Sequence, residues 1–187
     1  MTKPRLNSLQ ICELISNDVE MMEILQIVSR INLPDWCICA GFVKNKVWDY
    51  VHGNTVKTQP TDIDVMFFEK SSVVSAREAL LFLQQSMPSI DWDVANQAFT
   101  HTDNNDEAYT DVTDALSKLP ETATSVGVKI KEGKVCLLAP LGTDDLSDCI
   151  IRPTPIFYER PERKQIVIER LYNKQLFEKW PLLKVII

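Results

Sequence analysis

Apolar residues return at threes and fours through Leu9, Leu14, Ile15, Val19, Met22, Leu25 and Val28. That is the period of one face of an α-helix. The pattern stops ahead of Pro34, so the spacing predicts a single helix over about 7–32. Trp36 to Ala40 is a short run of strand formers, broken by Gly41. Helical spacing resumes at Val43, Val47, Tyr50 and Val51, with Gly53 placed to cap the helix. Residues 54–60 read as a polar loop. Residues 62–68 alternate acid and apolar and then turn wholly apolar, as a strand entering a core does. Val73, Ala76, Leu80, Leu83 and Met87 mark a helix over 72–87, and Ile90 to about Phe99 a third strand. Residues 100–109, and the acids as far as 114, read as an exposed, solvated loop. Asp111 to Leu119 reads as a short helix stopped by Pro120. Residues 126–131 and 134–138 alternate about Glu132 and Gly133, a hairpin signal. A helical turn or two is expected over 144–150, a loop at Pro153 and Pro155, and a last, highly charged helix over 161–180.

This order of helices and strands predicts an α/β or α+β fold, with a mixed sheet of about four or five strands flanked by helices. The 187 residues are enough for one domain. It would run over 1–187, with an N-terminal helix about 7–32, a core about 34–150 and a C-terminal helix about 160–180. The net charge of −6 argues against a non-specific nucleic-acid binder, which needs a basic face. It leaves room for an enzyme of nucleotides, because bound cations supply positive charge locally. The five cysteines read as buried reduced thiols, and no second Cys or His pair stands near Cys37 and Cys39 to make a zinc site. With no secretory signal and no apolar run of membrane length, the expectation is a soluble, cytoplasmic protein.

The candidate chemistry begins at Asp62 and Asp64. On a strand, two acids one residue apart leave the same face about 7 Å apart along the chain, while Ile63 and Val65 point into the core. Their mutual repulsion needs an offset, and a divalent cation takes carboxylate oxygen readily. Asp91 and Asp93 repeat the alternation on the next expected strand, so either could supply a third carboxylate. Gly41 lies between a strand and a helix whose first turn carries Lys44 and Asn45. A helix N-terminus offers free N–H groups and a positive dipole end to a phosphate.

Together the blocks LPDWCICAGFVKNKVWDY (33–50), PTDIDV (60–65), WDVANQ (92–97), PETATSVGV (120–128), APLGTDDL (139–146) and IRPTP (151–155) resemble a small, largely uncharacterised bacterial branch of the polymerase-β-like nucleotidyltransferase superfamily. The resemblance spans roughly residues 33–180. It implies that fold, with Asp62, Asp64 and Asp93 as catalytic metal ligands and Gly41 in the nucleotide-phosphate loop. It also places Lys44, Asn45, Asn96, Gln97, Thr122 and Thr124 in shared motifs, some of them lining the nucleotide cleft. The implied cofactor is Mg²⁺ or Mn²⁺, with a nucleoside triphosphate such as ATP as substrate and a small-molecule or macromolecular hydroxyl as acceptor. The implied reaction moves a nucleoside monophosphate to that acceptor and releases pyrophosphate. Three departures mark this chain: Phe42 follows Gly41 where the superfamily has a second small residue, the gap from Gly41 to Asp62 is longer than the superfamily's, and Phe99 stands where the branch has arginine. A catalytically silent nucleotide- or metal-binding module of the same fold is the alternative expectation.

The remaining polar residues carry plainer expectations. His52 reads as a helix-end surface residue, and His101 as a candidate by its place after the Asn96–Gln97 motif. Trp36, Trp48 and Trp92 read as core aromatics. Asp144 and Asp145 read as helix-start acids, and Arg152 as a carboxylate partner.

Overall fold

The computed structural model describes residues 5–71, 75–173 and 176–187. The chain runs α1 (Ser8–Ser16), α2 (Val19–Arg30), β1 (Trp36–Cys39), α3 (Gly41–His52), β2 (Ile63–Phe67), α4 (Ala76–Ser86), β3 (Trp92–Asn96), α5 (Gln97–Thr100), α6 (Val112–Ser117), β4 (Gly127–Lys131), β5 (Lys134–Leu138), α7 (Asp144–Ser147), β6 (Ile150–Ile151), α8 (Pro155–Tyr158), α9 (Pro161–Asn173), α10 (Leu176–Lys179) and β7 (Lys184–Val185). Among the described residues, five strands form one mixed sheet in the order β3-β2-β1-β4-β5, and β6 and β7 form a separate pair. Only β2 and β3 run parallel in the larger sheet; its other pairs are antiparallel. This is an α+β fold.

Strand alternation divides the sheet into two unlike faces. Trp36, Ile38, Ile63, Val65, Phe67, Trp92 and Val128 join the large apolar core that also takes in α1 to α4. Cys37, Cys39 and Met66 face the other way, under Val112, Ala115 and Leu116 of α6 and Tyr109. The second cluster covers only part of its face, and the acids of β2 and β3 occupy the same side. Gly127 makes this packing possible. A Cβ there would meet Cys37 Sγ at 2.6 Å and Leu116 Cδ1 at 3.2 Å.

The structure departs from the periodicity in four places. The helix expected over 7–32 is broken, because the Asp18 side chain accepts from Met21 N–H at 3.3 Å and starts α2 afresh. That carboxylate is buried and also takes Lys46 Nζ at 2.6 Å and Lys57 Nζ at 2.8 Å. The strand expected to Phe99 stops at Asn96, whose side chain caps α5 by accepting from Ala98 N–H. The loop expected to be solvated is tied down. Asp106 is buried against Arg163 of α9 at 2.7 Å and accepts from the Tyr109 hydroxyl at 2.9 Å. Burial pushes Tyr109 up to about 12. Pro155, expected in a loop, opens α8 instead.

The helix expected over 72–87 appears as Ala76–Ser86 behind a Ser75 cap, residues 72–74 lying outside the described residues. The helix expected over 161–180 appears as α9 and α10, with 174–175 likewise outside. Gly53 ends α3 at φ 71° as the sequence implies, and the hairpin pairs Lys131 with Lys134. Among the described residues no helix is long and apolar enough to cross a membrane.

Candidate active site

Asp64 is the second residue of β2, and Asp93 the second of β3. The parallel register sets them side by side, so both carboxylates leave one face of the sheet, from strands about 4.8 Å apart. Asp62 lies just ahead of β2 and is exposed. Asp91 lies outside β3, and its carbonyl accepts from Ile63 N–H at 2.8 Å. Cys39 faces the same side from β1. Its thiol is held well above the usual range by its hydrogen bond with Cys37 first, then by burial, and further by the charges of Cys37, Asp64 and Asp93. An uncharged thiol thus stands behind the acids.

A cavity of about 410 Å³ opens at Asp62 and Asp64, within the range of small-ligand sites. The N-terminus of α3 forms its floor through Gly41, Lys44 and Asn45. No side chain caps that helix, and Ala40 ahead of it holds φ 51° and ψ −116°. The positive φ therefore falls on Ala40 rather than on Gly41. Gly41 leaves room instead, since a Cβ there would stand 3.2 Å from Pro60 Cβ, a tight contact. Lys44 is only 6% exposed, and its ammonium lies 4.7 Å from the Trp48 ring centre and 5.3 Å from that of Trp180. Asn45 donates to Thr58 carbonyl at 3.2 Å, which holds the 54–60 loop along the cavity rim.

Glu121 and Thr124 from the turn before β4 form the facing wall, closed by Arg170 of α9, Leu176 and Lys179 of α10, and Trp180. Three acids, Asp62, Asp64 and Glu121, and three cations, Lys44, Arg170 and Lys179, thus line one opening. The sequence reading missed Glu121, Arg170, Lys179 and Trp180. Arg170 and Lys179 lie in the highly charged helix expected over 161–180, with Trp180 at its end, and no local signal turns them inward.

The structure brings Gly41, Lys44, Asn45, Asp62, Asp64 and Thr124 to one cavity, with Asp93 on the adjoining strand. It does not bring the others there. Asn96 clamps Glu69 by donating to its carbonyl at 2.8 Å and accepting from its N–H at 3.1 Å. Gln97 is buried and accepts from the Thr100 hydroxyl at 2.8 Å. Thr122 donates its hydroxyl to Asp145 at 2.7 Å, beside the Arg152–Asp145 ion pair, and faces a different cavity. His101 lies edge-on to Tyr109, with ring centres 6.0 Å apart.

A mixed sheet that sets in-register carboxylates beside the N-terminus of the helix after its first strand has the architecture of a nucleotidyltransferase. A family model described as Nucleotidyltransferase matches residues 26–185, and the chain belongs to that family. The NMR structure of a protein described as a CCA-adding enzyme head domain is 34% identical and superposes with a TM-score of 0.82, each chain covered to 96%. A CCA-adding enzyme complexed with ATP matches at 15% identity and TM-score 0.58, over 87% of this chain and 41% of that one. The Thermotoga maritima CCA-adding enzyme complexed with tRNA matches at 16% and 0.58, over 95% and 42%. The chain spans about two-fifths of the length of those two enzymes, and their likeness shows the fold alone. No curated protein matches the chain.

Among the described residues, no three His, Cys, Asp or Glu side chains already stand as a metal-holding group. The donor chemistry nevertheless suits a hard cation. Asp64 and Asp93 offer carboxylate oxygen from adjacent positions, and Asp62 offers it at the cavity mouth.

Proposed function

We propose that the chain transfers a nucleoside monophosphate from a triphosphate to an acceptor hydroxyl. The observation that carries this reading is the register of Asp64 with Asp93 beside the uncapped N-terminus of α3. The triphosphate occupies the cavity, its phosphates toward the first turn of α3 and Lys44, where N–H groups, dipole and ammonium all favour an anion. The acceptor oxygen bonds to the α-phosphorus, the bond from that phosphorus to the pyrophosphate oxygen breaks, and Asp93 accepts the hydroxyl proton. Asp62, Asp64 and Asp93 would hold Mg²⁺ or Mn²⁺, and a bound ion there would offset charge building on the phosphoryl oxygens. The chain's own contribution is positioning and a fixed field. The likeness to a CCA-adding head domain makes an RNA 3′ hydroxyl the first acceptor to try, and the net charge of −6 makes a small hydroxyl compound the second.

The test pairs Asp64→Asn and Asp93→Asn with pyrophosphate release from labelled triphosphates across an acceptor panel. Loss of release in variants that still melt cooperatively supports the assignment. Full release in either refutes it. The burial of Phe42 behind Gly41 favours a second reading, a module that binds nucleotide without turnover. Triphosphate binding by the unaltered protein without pyrophosphate release under any acceptor would establish it.

A further inference from the structure

Lysine is among the least often buried residues, and its flexible stem is costly to order. Lys44 is buried all the same, in the cavity floor and against two indoles. Both rings are themselves fixed. Trp48 and Trp180 meet edge to face, with centres 5.1 Å apart and planes at 76°. Trp48 Nε1–H donates to Leu146 carbonyl at 3.0 Å, and Trp180 Nε1–H donates to Asp49 at 2.8 Å. The Asp49 carboxylate is held in turn by Asn54 and by the backbone and hydroxyl of Thr58. One turn further along α3, His52 Nε2 accepts from Leu182 N–H at 3.0 Å. That acceptor role puts the ring proton on Nδ1, which donates to Trp48 carbonyl at 2.7 Å. The helix whose N-terminus faces the cavity therefore fastens the C-terminal segment at two points.

We propose that Trp180 is a positioning residue of the nucleotide site: with Trp48 it forms a two-indole cradle that sets the Lys44 ammonium where a phosphate of the bound triphosphate meets it. Ring faces within about 6 Å attract a cation and limit where it can go. The segment 176–183 then completes the phosphate subsite. By reciprocity of coupled equilibria, nucleotide binding tightens that segment as much as the segment tightens binding. The inference rests on the triphosphate reading of the cavity.

The test is a double-mutant cycle read by calorimetric binding of ATP with Mg²⁺. Trp180→Phe and Trp180→Leu both remove the indole N–H and both leave Asp49 short of one donor, so their difference isolates the ring face. In the Lys44 background, Trp180→Leu should bind about tenfold more weakly than Trp180→Phe. In the Lys44→Met background the two should agree within about twofold. Equal affinities with Lys44 present, or a difference that persists in the Lys44→Met background, would overturn the cradle and leave the nucleotide reading standing. Failure of the unaltered protein to bind ATP with Mg²⁺ would remove both. Hydrogen exchange in the unaltered protein gives a second readout that no variant's folding can confuse. Amides of 176–183 should exchange more slowly with ATP bound, and an unchanged rate there would overturn the coupling.

Discussion

The Trp180 indole N–H donates to the Asp49 carboxylate across 131 residues of sequence, at 2.8 Å in the buried interior. Asp49 accepts three further bonds, from Asn54 Nδ2 at 2.9 Å and from Thr58 N–H and hydroxyl at 2.6 and 2.8 Å. One side chain on α3 thus fixes the 54–58 loop that rims the cavity and the C-terminal segment that closes it. Asp49→Ala should cost about 3 kcal/mol, since it strands the buried Trp180 indole N–H and the half-buried donors of Thr58. Urea denaturation should show that loss, and amides of 176–183 should exchange faster than in the unaltered protein. A loss under about 1 kcal/mol with unchanged exchange would show that the two segments are held elsewhere.

Asp18 gives the fold a definite acid limit. Burial is the largest single influence and pushes its carboxyl upward, but hydrogen bonds from Lys46, Lys57 and Met21 N–H together hold it at about 2, below the ordinary 3.8. A depressed carboxyl contributes stability that is complete above its unfolded value and is lost as pH falls through the folded one. The window therefore runs from about pH 4 down to about 2, and the contribution is about 2 kcal/mol. Chemical denaturation at a series of pH values should show stability falling across that window. Asp18→Asn should flatten the fall and lower stability at neutral pH. A variant with the same acid slope would show that other carboxylates set it.

The sheet and its acids were legible because each rests on local alternation. In Asp62 to Val65, acid and apolar residues take opposite faces, and the same holds at Trp92 to Val94, so the shared face of Asp64 and Asp93 follows from the pattern once the strands pair. Gly53 announced its own cap. The break at Asp18 was not legible, because the apolar period continues through it while the partners that bury its carboxylate come from α3 and the following loop. Asp106 looked solvated for a like reason: its partner Arg163 lies in α9. Trp180 and Glu121 enter the cavity only through the tertiary fold, and nothing in their neighbours' sequence turns them toward it.

Gly127 is required by contact rather than by backbone conformation. A methyl group there would stand 2.6 Å from Cys37 Sγ and 3.1 Å from Cys37 Cβ. Gly127→Ala should therefore destabilise by about 2 kcal/mol through overpacking. Cys37→Ala removes the sulfur in the way, so the double variant should recover part of the loss despite its own small cavity. Thermal melting of the four proteins measures this. Simple additivity of the two losses would show that the sheet yields at Gly127 instead.

Metal and nucleotide should stabilise the fold together and through Asp64. A ligand that binds only the native state at one hundred times its dissociation constant adds about 2.7 kcal/mol. For a chain of 187 residues that is a rise of about 5–10 °C in melting temperature. ATP with Mg²⁺ should produce such a rise, and chelation of the metal should remove most of it, since triphosphate and carboxylates then face each other without an intervening cation. Asp64→Asn should melt near the unaltered protein without ligand and show little response to ATP with Mg²⁺. Its uncharged amide still stands beside Asp93 in the strand register, but it is a much weaker ligand for a hard cation. A full ATP-dependent rise in the presence of chelator, or in Asp64→Asn with Mg²⁺, would mean that the triphosphate is held by Lys44 and the α3 N-terminus alone, and that the in-register acids serve some other end.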